Sequence, residues 1–181
     1  MTDLIPTRGA ALDLVEEKKF LETGYQFLDE KRMLLASTLL DELELLRAAR
    51  RAYDAAMREA AAALKASIAR HGVASLALYP AGDGSLSGLA LKTRNFLGLG
   101  LLESPVTTWT PPAPVDTLDA SQAAEDCRAA FAQLVPLALR LALCTQNIRR
   151  LIREYRATER RSRALENVIL PETTAKLAWI N

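Results

Sequence analysis

Residues 14–63 read LVEEKKFLETGYQFLDEKRMLLASTLLDELELLRAARRAYDAAMREAAAA. Alternating steps of four and three from Leu14 give Leu14, Lys18, Leu21, Tyr25, Leu28, Arg32, Leu35, Leu39, Glu42, Leu46, Ala49, Tyr53, Ala56, Ala60 and Ala63. Twelve of these fifteen positions are apolar, and the pattern holds over seven heptads. A spacing of 3.5 residues puts them on one narrow stripe of a helix, the seam of a coiled coil. The second half of the seam is mostly Ala, so a partner helix can approach closely there. Lys18, Arg32 and Glu42 interrupt it. Two readings stand for these three. Either their stems lie along the seam edge with the heads in water, or they are buried and set the register.

Working outward, no Gly or Pro falls between Gly24 and Gly72, a run of 47 residues. At about 1.5 Å per residue such a helix reaches roughly 70 Å, which predicts an elongated form. A second breaker-free run of 34 residues separates Pro136 from Pro171. Both runs are rich in Ala, Leu, Arg and Glu, which lose least on entering a helix. Within the second, Phe131, Leu134, Ala138, Leu141, Thr145, Ile148, Ile152 and Tyr155 form a matching seam. Two long helices joined by a short insertion pair most simply antiparallel.

Six of the eight Gly and five of the eight Pro lie between Gly72 and Pro114. Three parts follow: a long helix over 1–71, a Gly/Pro-rich insertion over 72–118 and a second long helix over 119–181. The fold class is therefore dominated by α-helix, a long antiparallel two-helix coiled coil with a small middle insertion. Gly88, Gly98 and Gly100 are mixed with apolar stretches around Leu89–Leu91 and Leu99–Leu102, with Lys92–Asn95 between them, which predicts a short β-hairpin or a loop with strand pieces. Val106–Trp109 reads as a further extended piece, and Pro111, Pro112 and Pro114 as an extended connector. Ser121 or Asp119 is placed to cap the second long helix.

The chain has 181 residues, 23 Lys+Arg, 22 Asp+Glu, one His, two Cys and 6% aromatic residues. Near-neutral charge does not point to nucleic acid or an acidic substrate. One His leaves little for His-based metal sites or triads. His71 stands just before Gly72, where a helix would end and a His favours the dipole's negative end. Cys127 and Cys144, 17 residues apart, would lie about 25 Å apart on one helix, too far for a disulfide and in keeping with a reducing compartment. Asp3 and Pro6 do not fit a secretory signal, and no run of about 18 uncharged apolar residues marks a membrane span. Gly82-Asp83-Gly84-Ser85 and Gly98-Leu99-Gly100 lack the phosphate-binding patterns and read as turns. No catalytic, cofactor-binding or metal-ligating set emerges, and the composition argues against an enzyme.

The strongest charge feature runs from Arg149 to Arg163, with seven Arg against Glu154 and Glu159. Arg149, Arg153, Arg156, Arg160 and Arg163 recur at steps of four and three, one stripe beside the apolar seam. Residues 119–181 carry ten basic and seven acidic groups, so the neutral total hides a local cationic face. Three readings fit: pairing with Glu16, Glu17 and Glu22 of the first helix; docking on an acidic protein surface; or binding nucleic acid or anionic lipid.

Pro6-Thr7-Arg8, Leu12, Lys19, Leu21, Gly24, Leu28, Lys31-Arg32 and Leu35 resemble the N-terminal helix of the D subunit of V-type and A-type rotary ATPases. Arg160-Arg161, Ala164-Leu165-Glu166 and Val168-Ile169-Leu170-Pro171 resemble that family's second signature. The resemblance implies a non-catalytic central-stalk component, two antiparallel helices forming a shaft inside a ring of catalytic A and B subunits. It implies contact with the small F subunit of the stalk and with the connection to the membrane rotor, with no nucleic acid and no membrane span of its own. It also implies a cytoplasmic location peripheral to the membrane. The shaft turns, driving each catalytic site through open and closed states. Ser162-Arg163 and Asn167 depart from the family's pattern. The chain ends ten residues past Pro171, where typical members continue, which bears on how deeply the shaft reaches into the ring. Pro171 is expected to break one backbone hydrogen bond and kink the helix. A coiled-coil stalk or tether of another assembly, such as a secretion machine, would share the seams but not these end signatures.

Overall fold

The computed structural model describes residues 7–77, 90–105, 109 and 121–180. The first helix, α1, runs Arg8–Leu76 and is broken at Gly72, whose φ of 73° lies in the left-handed region where a Cβ is unwelcome. Strands β1 (Lys92–Phe96) and β2 (Leu99–Glu103) form an antiparallel hairpin. α2 (Gln122–Ala164) passes into a π-helical turn, Leu165–Ile169, and then into α3, Leu170–Ile180. The predicted all-α architecture with a small hairpin is the one observed. Gly82–Ser85, Val106–Thr108, Pro111–Pro114 and Asp119 fall outside the described residues.

The chain divides into two compact units: Met1–Leu40 with Arg149–Asn181, and Asp41–Ile148. In the first, Lys31 Nζ donates to Glu154 Oε1 at 2.6 Å and Gly24 lies against Leu165, so partners run backward as α1 runs forward. In the second, Ser67 Oγ donates to the Ala123 carbonyl at 2.5 Å and His71 meets Ser121, while Glu42 lies beside Asn147. Both units therefore contain antiparallel helix pairs.

All fifteen predicted seam positions of α1 are buried or half-buried. The stripe continues past Ala63 to Ser67 and His71. His71 Nε2 meets Ser121 Oγ at 2.5 Å, and Ser121 Oγ accepts from the Ala124 amide, so Ser121 is the helix cap and the His is tied to it. The three polar interruptions separate. Lys18 and Arg32 stay at the edge, beside Glu22 and Asp29 of their own helix. Glu42 is only 6% exposed.

The seam of α2 needs correction. Leu134 and Ile148 are buried and Leu141, Thr145, Ile152 and Tyr155 half-buried, but Phe131 and Ala138 are exposed. The buried row runs instead through Cys144, Ile148, Leu151, Thr158 and Ser162. Two causes are visible. Residues 134–143 are apolar on nearly every side, so periodicity there does not select a face. Farther on, Thr158 and Ser162 are small polar seam residues that an apolar count passes over.

Past α2 the inward row continues through Leu165, Leu170, Thr173, Leu177 and Ile180. The steps from Thr158 are four, three, five, three, four and three, and the five coincides with the π turn. There the Leu170 N–H donates to the Leu165 carbonyl, five residues back. Pro171 follows at once; it has no N–H and its ring would crowd the carbonyl four residues earlier. The expected disturbance at Pro171 is thus a wide turn just before it.

The helix Gln122–Ile180 contains an 18-residue window of mean hydropathy 1.4, long and apolar enough to cross a membrane by length and composition, with 28% of the window buried. This differs from the sequence reading because the window admits isolated charges.

The hairpin turn at Leu97 and Gly98 has φ of 50° and 85°, positive at both centres, the geometry whose twist matches a two-residue hairpin. Asn147 pins the outer edge of β2: its Oδ1 accepts from the Leu102 amide at 2.8 Å and its Nδ2 donates to the Leu102 carbonyl at 3.0 Å. Asn147→Leu removes both bonds and should cost about 2 kcal/mol in urea unfolding, with faster exchange of the Leu102 amide. Burial holds the Glu42 carboxyl above its ordinary value of 4.5, opposed by the adjacent Asn147 amide and by Arg94. A raised carboxyl value means the folded state binds the proton more tightly. Its stabilisation is complete below 4.5 and is lost as pH rises from there through the raised value. Glu42→Gln should remove that part of the pH dependence, read as the difference between the two midpoint-against-pH curves.

Candidate functional site

Helical spacing carries the arginines of α2 outward because Leu151, Thr158 and Ser162 occupy the inward face. Arg149, Arg153, Arg156, Arg160 and Arg163 are all exposed. Arg163 donates to Glu159 at 2.7 Å. Among the described residues the other four form no ion pair, and Glu16 and Glu17 of α1 form none either. Glu22 lies 3.9 Å from Lys18 of its own helix. Lys31–Glu154 bridges the helices in this unit, with side chains 17% and 25% exposed. Partial burial strengthens a charge-assisted bond of this kind. The result is a row of guanidinium groups facing water, able to meet carboxylates or phosphates.

At the far end of the same unit the π turn rests on Gly24. A Cβ placed there would lie 4.0 Å from Leu165 Cδ1. Beside it, partial burial and the adjacent Glu166 carboxylate hold the Tyr25 hydroxyl above its ordinary value. Elsewhere, within the second unit, the hairpin and helices enclose a groove of about 420 Å³, lined in part by Glu42, Arg94, Arg140, Cys144 and Asn147. Burial, then Glu42, pushes the Cys144 thiol up, away from the reactive thiolate. Cys127 and Cys144 are both free. Among the described residues no group of three or more His, Cys, Asp or Glu is placed to hold a metal.

The profile of the family described as the ATP synthase D subunit matches residues 10–181. The chain belongs to the ATP synthase D subunit family. It is 22% identical to the V-type ATP synthase D subunit of Thermotoga neapolitana, over 97% of this chain and 86% of that protein. The V-type ATP synthase D subunit of Thermus thermophilus is 28% identical, over 99% and 80%. The A-type ATP synthase D subunit of Pyrococcus horikoshii is 30% identical, over 97% and 83%.

In this member of the D subunit family the two signature stretches meet. Gly24 faces Leu165, and Tyr25 lies beside Glu166. Thr7 Oγ1 accepts from the Ala10 amide and caps α1, while Arg8 is exposed at its first residue. Lys31 takes Glu154, and Arg32 takes Asp29. Arg160, Arg161, Ala164 and Pro171 are exposed. Pro6 lies outside the described residues. Ser162, one of the departures from the family's pattern, is buried in the inward row, and Arg163 points to water. Sequence reasoning missed Glu154 as the partner of Lys31 and Asn147 as the hairpin clamp. A seam-adjacent Asn in an apolar helix was the available signal for the second.

Gly24→Ala places its methyl at ordinary contact distance and removes a helix-interior glycine. It should stabilise the chain by about 0.5–1 kcal/mol in thermal unfolding. Gly24→Leu fills the space that Leu165 occupies and should destabilise it in the same measurement.

Proposed function

We propose that this chain is the non-catalytic central-stalk component of a V-type or A-type ATP synthase or ATPase. In this reading 1–71 and 119–181 supply the shaft, and 72–118 lies toward the membrane end. The partners are the catalytic A and B subunits, the small F subunit of the stalk and the connection to the membrane rotor. The protein works on the cytoplasmic side, peripheral to the membrane, and couples ATP turnover to ion translocation. The family match over residues 10–181 carries this reading.

The physical arrangement supports it. A helix pair with a continuous seam resists twisting better than one helix, as torque transmission requires. A surface that slides past successive ring subunits is served by exposed, separately solvated guanidinium groups, each able to exchange one carboxylate partner for the next. Arg149, Arg153, Arg156, Arg160 and Arg163 are the residues assigned to meet acidic or polar positions of the ring.

Reconstitution with purified A, B and F subunits tests both levels. The wild-type chain should be retained and should change the ring's ATPase activity; a stalk from another machine would not be retained. Reversing Arg149, Arg153 and Arg156 to Glu together should lower coupled ATPase activity roughly fivefold, taking about 0.3 kcal/mol for each exposed charge. Unchanged coupling sinks the arginine assignment.

A further inference from the structure

On α1, the side facing away from the seam carries a second row of large apolar residues. Phe20, Phe27 and Leu34 recur every seven residues and are 76%, 64% and 51% exposed. Seven residues turn a helix through about 700°, so the three stack along one line. That line lies roughly 130° round the helix from the seam's centre. About 100° round the helix, across the row that holds Glu16, Thr23 and Glu30, Leu12, Met33 and Leu40 are exposed as well, with Lys19 and Gln26 between them. Three large apolar side chains in one line about 20 Å long, flanked by a polar row, are more than the singly scattered apolar residues of an ordinary surface.

The charges interleaved with the phenylalanine row are Asp13, Glu16 and Glu30, all acidic and exposed. Glu16 and Glu30 have no ion-pair partner among the described residues. Thr23, between Glu16 and Glu30 in the flanking row, turns its hydroxyl back to the Lys19 carbonyl at 2.9 Å. We infer that this face docks a basic amphipathic helix from another component of the complex.

The spacing selects a helix, because knobs seven residues apart fit a partner whose apolar residues repeat at the same interval. The interleaved carboxylates select basic flanks. A second copy of this chain is disfavoured, since the same face on both partners would oppose Glu16 and Glu30 to like charge. An anionic lipid surface is disfavoured for the same reason. The inference rests on the central-stalk reading and names a contact separate from the arginine row.

A photo-crosslinking benzoylphenylalanine at position 20 or 27, in the assembled complex, tests it. The expected product is a crosslink to a helical peptide of another protein of the complex, bearing Lys or Arg beside apolar residues. A crosslink to a second copy, to lipid or to an acidic segment overturns the inference, and so does no crosslink. Retention by the purified A, B and F subunits gives the second measurement. The double variant Phe20→Lys/Phe27→Lys should bind about tenfold more weakly or worse, with helix content unchanged by circular dichroism. Phe20→Leu/Phe27→Leu should stay near wild type. Equal retention of the Lys variant overturns the inference and leaves the central-stalk reading standing. Failure to retain the wild-type chain overturns both.

Discussion

Withdrawing one stripe of α1 from water is the constraint on which the other features depend. The stripe is narrow, and from Ala49 to Ala63 its side chains are mostly methyls, so hydrophobic burial per residue is modest and must be summed over many turns. A long helix has little stability of its own in water without such packing. Because the seam occupies only two of every seven positions, the remaining five are free to carry other patterns. The acid-flanked phenylalanine row on α1 and the arginine row on α2 are both written there. The same economy explains why small polar residues, Ser67, Thr158 and Ser162, can sit in the seam: where backbones come close, size decides before polarity.

Much of this was legible in the order of residues. A seam of period 3.5 needs only side-chain type and spacing, so α1 could be read to within its half-buried Lys18 and Arg32. Ser121 followed from capping chemistry, and a hairpin from the two apolar stretches with Gly among them, although Lys92–Asn95, read as lying between the strand pieces, belong to the first strand. The end signatures led to the family that the profile match then showed. The face of α2 was not legible between Leu134 and Leu143, because a helix apolar all round has no preferred direction until its neighbours are placed. The π turn was half legible: Pro171 announced a disturbance, but not that it would lie before the proline. Pairings such as Lys31 with Glu154, or Asn147 with Leu102, join residues far apart in sequence and needed three-dimensional structure.

Electrostatics divides the work among these faces. Glu42 is the one charged side chain buried in the seam among the described residues, and it is placed beneath the hairpin where Asn147 and Arg94 can answer it. Elsewhere the charges sit outside, and those of α1's outer row and of α2's outer row have opposite sign. A near-neutral net charge is therefore the sum of two locally strong fields rather than the absence of any.

The π turn between Leu165 and Ile169 has a further consequence. It contains one residue more than an α-helical path of the same span would use, so it acts as a phase correction. Without that surplus, everything after it would be turned by about 100° and drawn in by about 1.5 Å. Thr173, Leu177 and Ile180 return to the inward row because of it, and Trp179 is thereby aimed at solvent. The direction in which the last eleven residues present their side chains is thus determined locally, by a single extra residue, and not by the long helix that precedes them.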